Sequence, residues 1–297
     1  MIFSSFINFL NKEQIDFCLN YDTSELVSIR IGGNSKIAVF PNTIAKLIKL
    51  MDLIKTQNYV IIGNGTNCLF SNDYDGIVVV TKNINNIDVN GKNIVAQCGV
   101  ALNKLCKVAL KNSLSGLEFA SGIPGSLGGA VYMNASAFGS NISNVIESST
   151  VFDLVTGKII KIGNDEHSFG TKKSIFMNKK FIHLESTINL ALDDSVAICE
   201  RMKKFIEYRK KTQPLEHYSA GSVFVKPKEG YAAQMIESVG LKGYSIGGAQ
   251  ISKKHAGFII NINNASASDV LELIKLSKMR VLSKFGVELK EEIIVIK

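Results

Sequence analysis

The nine residues Gly122-Ile123-Pro124-Gly125-Ser126-Leu127-Gly128-Gly129-Ala130 constrain this chain more than any other stretch. Four glycines, a proline and a serine fall among apolar residues, and the sequence continues as Val131-Tyr132-Met133-Asn134-Ala135. Ile123, Leu127, Val131 and Met133 demand burial, so the stretch is not a flexible linker. An ordinary core strand is excluded as well, because glycine weakens a strand and proline removes a ladder hydrogen bond. What remains is a backbone that bends sharply and lets another group come very close. A flat, phosphate-bearing ligand meets that requirement.

Composition narrows the setting. Hydrophobic residues fill 46% of the 297 positions and charged ones 20%, enough for a substantial core in one large domain or two ordinary ones. No apolar run reaches the roughly 20 residues of a membrane-spanning helix. The start, Met1-Ile2-Phe3-Ser4-Ser5-Phe6, has neither a basic n-region nor a small-residue cleavage site, so no signal peptide is expected. Cys18, Cys68, Cys98, Cys106 and Cys199 form an odd set without CxxC spacing. Such a set points to a reduced, cytosolic protein without a disulfide framework or a metal site. The formal charge of +8 fits nucleic acid or an anionic small substrate. Basic residues gather only at Arg201, Lys203, Lys204, Arg209, Lys210 and Lys211, on a helical stretch that also reads as a solvated face. No nucleic-acid-binding motif accompanies it, and no nucleic-acid or membrane partner is expected.

The element pattern is mixed α+β. Residues 1–20 read as helical, with Phe3, Phe6, Ile7, Phe9 and Leu10 on an apolar face. A strand over Lys36–Phe40 closes at Pro41, and helical spacing of Ile44, Leu47, Ile48 and Met51 marks a helix at 43–56. The strand Tyr59–Ile62 runs straight into Gly63-Asn64-Gly65-Thr66-Asn67, after which 69–73 reads as a loop. Asn90-Gly91 signals a hairpin, and a second alternating pair turns at Thr156-Gly157. Helices are expected near 102–112, 194–211, 231–238 and 267–284, with strands at 181–190, 257–262 and 292–296.

Gly63 to Asn67 follows a strand, as a phosphate loop does. A GxGxxG fingerprint needs glycine where Cys68 stands and a helix next, and neither is present. A tight turn or an anion-binding nest both remain open for this segment alone. Two separated glycine-rich loops, however, make a pair of walls for one ligand. The remaining candidates are weaker individually. Ser222 lies in Ser219-Ala220-Gly221-Ser222, which is no GxSxG elbow, and His255 follows two lysines in what also reads as a surface turn. Glu291 and Glu292 alone read as solvated carboxylates, and His167, His183 and His217 form no spaced pair with a carboxylate.

Taken together, these segments resemble one family. The order and spacing of Ile31-Gly32-Gly33, Gly63 to Asn67, Gly116-Leu117-Glu118-Phe119, Gly122 to Asn134, Ser219 to Phe224, Gly240-Leu241-Lys242-Gly243, Gly248 to Ser252, His255, Asn261 and Phe285 to Leu289 are similar to the UDP-N-acetylenolpyruvoylglucosamine reductases. The resemblance implies a two-part FAD-binding domain of the vanillyl-alcohol-oxidase (PCMH) type over 21–190. An N-terminal helical segment over 1–20 would precede it, and a smaller α+β substrate-binding domain over 191–297 would follow. Non-covalent FAD would be held near Gly63, Asn64, Gly65, Thr66 and Asn67 and near Gly122, Ile123, Pro124, Gly125, Ser126, Gly129 and Ala130. NADPH would be the hydride donor, and the substrate the UDP-N-acetylglucosamine enolpyruvyl ether of peptidoglycan precursor synthesis, in the cytoplasm. An FAD oxidoreductase of the same fold acting on another small alcohol or sugar, or a non-catalytic nucleotide- or nucleic-acid-binding protein using the basic helix at 201–211, would be the rivals.

The resemblance also implies site residues. Ser222 matches the proton donor, Glu292 matches the glutamate of the closing LxxE pattern (Leu289-Lys290-Glu291-Glu292), and Lys226 and His255 fall at substrate-binding positions. The family pattern FGYR-x-SIF becomes Phe169-Gly170-Thr171-Lys172-Lys173-Ser174-Ile175-Phe176, which puts Lys172 in place of a catalytic arginine, with Lys173, one position on, as the alternative. Lysine keeps the charge and loses the planar fork that grips a carboxylate.

Overall fold

The computed structural model describes residues 2–178 and 180–297, without the side chains of Ile2 and Phe3. The chain forms two compact units, both discontinuous. The first holds residues through Leu19, 36–64 and 76–207; the second holds 20–35, 65–75 and 208–297. The chain therefore leaves the first unit between Asn64 and Gly65, inside the first glycine loop.

The first unit is built around an antiparallel sheet whose order is Lys158–Gly163, Ile146–Asp153, Phe181–Asn189, Asn93–Gln97 and Ile87–Asn90. Adjacent residues in its strands serve opposite faces, as period-2 alternation requires. Val151 and Ile188 join a core with Leu105, Leu127 and Val131, whereas Phe152 and Leu184 join another with Leu47, Met51 and Val79. A second sheet, ordered Asp16–Asp22, Asn34–Phe40, Tyr74–Val80 and Tyr59–Ile62, pairs Tyr59–Ile62 in parallel with Ile77–Val80. Thr43 caps the helix Ile44–Ile54 by accepting the Lys46 N–H, and Leu47, Leu50, Met51 and Ile54 form its buried face.

In the second unit an antiparallel sheet runs Tyr218–Ser222, Phe258–Asn261, Ala249–Ile251 and Ser245–Ile246. The long helix Ala267–Phe285 opens on a reciprocal Ser266–Asp269 capping box and stops at Gly286, which adopts φ +66°.

Three expectations change. The N-terminal helix covers Ile2–Lys12 and Asp16–Asp22 is a strand. The expected helix start at Met1 and the Phe3 side chain lie outside the described residues. Cys68-Leu69-Phe70 is a strand and not a loop, because it pairs in parallel with the distant Ile294–Ile296. That terminal strand starts at Ile294, so Glu292 sits just before it. Among the described residues no helix is long and apolar enough to cross a membrane.

Candidate active site

Within the first unit the two glycine loops meet. A Cβ added to Gly63 would lie 2.1 Å from Ser126 Oγ, so any side chain there must displace that hydroxyl. Asn64 Nδ2 donates to the Pro124 carbonyl at 3.4 Å. Val100 holds the second loop from below: its carbonyl accepts from Leu127 N–H at 2.8 Å, while Leu102 N–H donates to Gly125 O at 2.9 Å. After Pro124-Gly125 the chain turns into the short helix Leu127–Tyr132, which the glycine content had concealed. The Ser126 hydroxyl is its N-cap, accepting from Gly129 N–H, and Leu127, Ala130 and Val131 are buried beneath it. Gly129 itself is exposed. Among the described residues the backbone N–H groups of Gly63, Asn64, Gly125 and Ser126 meet no acceptor. Backbone donors left open where two glycine-rich turns converge fit the pyrophosphate of FAD.

Lys172 also belongs to the first unit. Gly170 and Lys173 exchange backbone hydrogen bonds (3.0 and 3.3 Å), closing a tight turn in which Lys172 takes φ +53°. That left-handed conformation disfavours a lysine by about 1 kcal/mol or more. Asn134 Nδ2 donates to Gly170 O at 3.0 Å and Ser174 Oγ to Tyr132 O at 2.6 Å, so the turn is tied to the segment that follows the glycine loop.

Ser222, Glu292, Lys226 and His255 share the second unit. The strand Tyr218–Ser222 pairs regularly through Ser219↔Ile260, then slips register before Ser222↔Phe258. Gly221 sits at the slip with φ +76°, and this bulge re-aims Ser222. The next residue ties Ser222 to the C-terminal segment: Val223 O accepts from Glu292 N–H at 2.7 Å and from Ile293 N–H at 3.4 Å. Asn67 Nδ2 donates to Glu292 O at 2.9 Å, and Ile294 N–H donates to Asn67 O at 2.9 Å. Gly65 precedes this clamp at φ +61°, where a Cβ would be 1.8 Å from Leu26 O. The adjacent carboxylates thus divide. Glu291 is exposed and pairs with Lys278 at 3.0 Å, whereas Glu292 is half-buried beside the Ser222 strand.

Lys226 is exposed, its Nζ 4.2 Å from the centroid of the Tyr231 ring. His255 is half-buried. Burial pushes its pKa down, Lys242 adds to this, and Nδ1 accepts from Gly257 N–H at 3.1 Å. It is a neutral donor through Nε2, not a positive charge. Burial likewise pushes the Cys68 thiol up to about 11 and those of Cys98 and Cys106 up to about 12, so all three stay protonated. No group of metal-ligating side chains occurs among the described residues.

Two residues escaped the sequence reasoning. Arg209 Nε and Gln213 Oε1, four apart on the helix Ser195–Thr212 and the residue after it, are buried polar atoms that meet no partner among the described residues. Arg209 belongs to the basic run that reads as a solvated face, and Gln213 carries no signal in the sequence. Arg201, from the same run, instead pairs with Glu118 at 2.7 Å. Burial opposes a charge on Glu118, yet the bonds from Arg201, Gly116 and Ser115 hold its carboxyl below the usual range.

Glycine-rich loops with open backbone donors suit a phosphate-bearing cofactor, and the FAD binding domain family matches residues 35–163, which makes the chain an FAD-binding flavoprotein. The UDP-N-acetylenolpyruvoylglucosamine reductase C-terminal domain matches residues 213–296, with Ser222, Lys226, His255 and Glu292 inside it. Curated reductases of that name from Clostridium novyi (strain NT) and Clostridium tetani (strain Massachusetts / E88) are each 42% identical to this chain. The alignments cover 97% and 93% of this chain and 94% and 92% of the relatives. The crystal structure of the Thermus caldophilus reductase superposes with a TM-score of 0.81 at 28% identity, covering 95% of this chain and 99% of that one. The chain belongs to the UDP-N-acetylenolpyruvoylglucosamine reductase family.

Proposed function

We propose that this chain is an FAD-dependent oxidoreductase that uses NADPH to reduce UDP-N-acetylglucosamine enolpyruvate to UDP-N-acetylmuramate in the cytoplasm, for peptidoglycan precursor synthesis. The observation that carries the reading is the backbone clamp joining Ser222 to Glu292 through Val223 O (2.7 Å). It puts a hydroxyl and a half-buried carboxyl, both from family motifs, on adjoining segments. FAD binding is assigned mainly to 21–190 and substrate binding to 191–297, with residues 20–35 and 65–75 folded into the second unit.

FAD, when bound, would supply hydride drawn from NADPH. The backbone donors of Gly63, Asn64, Gly125 and Ser126 would hold its pyrophosphate, and Gly122, Ile123, Pro124, Gly129 and Ala130 would shape that wall. Thr66 and Asn67 act at the start of the second unit. Reduction of the enolpyruvyl double bond adds a hydride to one carbon and a proton to its neighbour. Ser222 Oγ holds that proton. A serine hydroxyl is a weak acid, so the transfer relies on the basicity developing at the adjacent carbon and on the rigid placement by the Gly221 bulge. Glu292 polarises the enolpyruvyl carboxylate, and Lys172 supplies positive charge where negative charge grows. Lys226 is a point charge for the diphosphate, and His255 a neutral donor beside the Ser222 strand.

Anaerobic mixing tests this in two halves. NADPH should bleach the bound flavin, and UDP-N-acetylglucosamine enolpyruvate should then restore its absorbance. A colourless purified protein, or reduced flavin indifferent to the enolpyruvyl ether, would overturn the assignment.

A further inference from the structure

Behind the Lys172 turn lies a buried chain of hydrogen bonds that none of the chemistry above uses. His167 Nδ1 lies 2.8 Å from Gly163 O, and its Nε2 lies 2.7 Å from Ser149 Oγ. Ser149 Oγ is 2.7 Å from Ser186 Oγ, which is 2.7 Å from His183 Nε2. All four side chains are buried. A β-bulge makes the chain possible. His183 and Ser186 are three apart and would face opposite sides of a regular strand. The register slip between Thr150↔Glu185 and Val151↔His183 brings both to the face carrying Ser149.

The end of the chain fixes the direction of every proton. A carbonyl only accepts, so His167 Nδ1 carries the hydrogen and neutral Nε2 accepts from Ser149. Ser149 has one hydrogen, now used, so it accepts from Ser186. Ser186 in turn accepts from His183 Nε2–H. The two histidines are thereby forced into opposite tautomers, and His183 Nδ1 keeps a lone pair that meets no partner among the described residues. Charging His167 would turn Nε2 into a donor and take away the acceptor that the Ser149 hydrogen uses.

The aromatic rings that bracket the Lys172 turn rest on this chain. Phe169 stacks on the His167 ring at 4.8 Å and 10°, and Phe176 meets His167 edge-on at 5.9 Å and His183 at 5.5 Å. Phe169 and Phe176 are the two ends of the segment carrying Gly170 to Lys173. We propose that His167, Ser149, Ser186 and His183 form a one-directional hydrogen-bond chain that positions the Lys172 turn by fixing the rings on which Phe169 and Phe176 pack. A lysine at φ +53° needs such outside support, since its own backbone preference opposes the turn. The kinetic consequence rests on the catalytic reading of Lys172; the structural one does not.

Imidazole nitrogen NMR on the unmodified holoenzyme at neutral pH reads the tautomers directly. His167 should carry its proton on Nδ1 and His183 on Nε2; equal tautomers, or a charged ring at either position, would overturn the proposal. Amide exchange in Ser149→Ala should accelerate by about tenfold or more at Gly170 and Lys173 and by less than about twofold in the strand Asn93–Gln97. Equal loosening of both, or none at the turn, would reduce the chain to ordinary core packing. In stopped flow, Ser149→Ala should slow flavin reoxidation by the enolpyruvyl ether by about tenfold and leave reduction by NADPH within about twofold. Adding Ser149→Ala to Lys172→Ala should cost nothing further, and additive losses would show that the chain acts elsewhere. If Lys172→Ala alone reoxidises at the normal rate, the role given to Lys172 fails, and the tautomers and exchange still decide the positioning.

Discussion

The glycine loops of the first unit and the Ser222 cluster of the second are built by opposite means. At Gly63 the structure depends on what is missing, because a Cβ there would lie 2.1 Å from Ser126 Oγ. Its open groups are backbone N–H groups that any sequence would carry, while the Ser126 and Asn64 side chains only hold the loops in shape. Around Ser222 the reverse holds. Backbone bonds from Val223, Glu292, Asn67 and Ile294 form the frame, and the chemistry resides in individual side chains. Substitution should therefore damage cofactor retention and folding in the first region, and turnover with fold intact in the second.

Ser222→Ala gives the largest effect and the sharpest test. Loss of a positioned proton donor costs about 10²–10⁴ in rate. Flavin reoxidation by the enolpyruvyl ether should fall by that amount, while NADPH reduction, flavin content and thermal midpoint stay at wild-type values. A parallel fall in both half-reactions would break the contrast between the regions.

Gly63→Ala should act through binding and stability, by about 1–3 kcal/mol. The added methyl must displace the Ser126 hydroxyl, which costs its helix cap as well as the contact between the loops. Flavin content after gel filtration and the denaturation midpoint should fall together. The double variant Gly63→Ala/Ser126→Gly removes the obstructing hydroxyl, and glycine is a tolerable N-cap. It should recover most of the flavin. No recovery would mean that Gly63 is needed against the cofactor rather than against Ser126.

The same contrast explains what could be read from the sequence. The loops were legible because glycine clusters among apolar residues have few structural uses, and the strand before Gly63 was marked by its own apolar run. The helix after Ser126 was not, since Leu127-Gly128-Gly129-Ala130 has poor helix propensity and is held by burial and a cap. Cys68-Leu69-Phe70 became a strand only through pairing with Ile294–Ile296. No local pattern announces a partner so far away in sequence. Ser222 and Glu292 are proposed only through whole-family resemblance; nothing in the local sequence distinguishes Glu292 from Glu291. His167 and His183 were missed because their connection runs through two serines and a bulge, neither of which leaves a spacing signature.

The buried histidines make stability depend on pH. Burial pushes His183 from the ordinary 6.5 down to about 3, and the neighbouring His167 adds to this. His167 is also held down, chiefly by burial, although Gly163 O and the Glu166 carboxylate oppose that shift. Below 6.5 the unfolded chain takes up protons that the folded chain refuses, so stability falls as pH drops toward about 3 and no further on this account. The slope from His183 approaches about 1.4 kcal/mol per pH unit. Denaturant titrations between pH 7 and 5 should show it, and His183→Leu should flatten it whatever that variant does to absolute stability. An unchanged slope would mean that His183 titrates normally.

Lys172→Asn has the smallest expected effect on the fold and the most particular one. Asparagine accepts the left-handed conformation that lysine resists at φ +53°, so stability should hold or rise by up to about 1 kcal/mol. Charge at the growing carboxylate is lost in the same step, and reoxidation by the enolpyruvyl ether should slow. Stability and activity moving in opposite directions at one residue would show that the strain is retained for its chemistry, as the side chains of the second unit are. If both fall together, the turn requires the lysine for structure, and Lys172 belongs with Gly63 among residues that act through the backbone they permit.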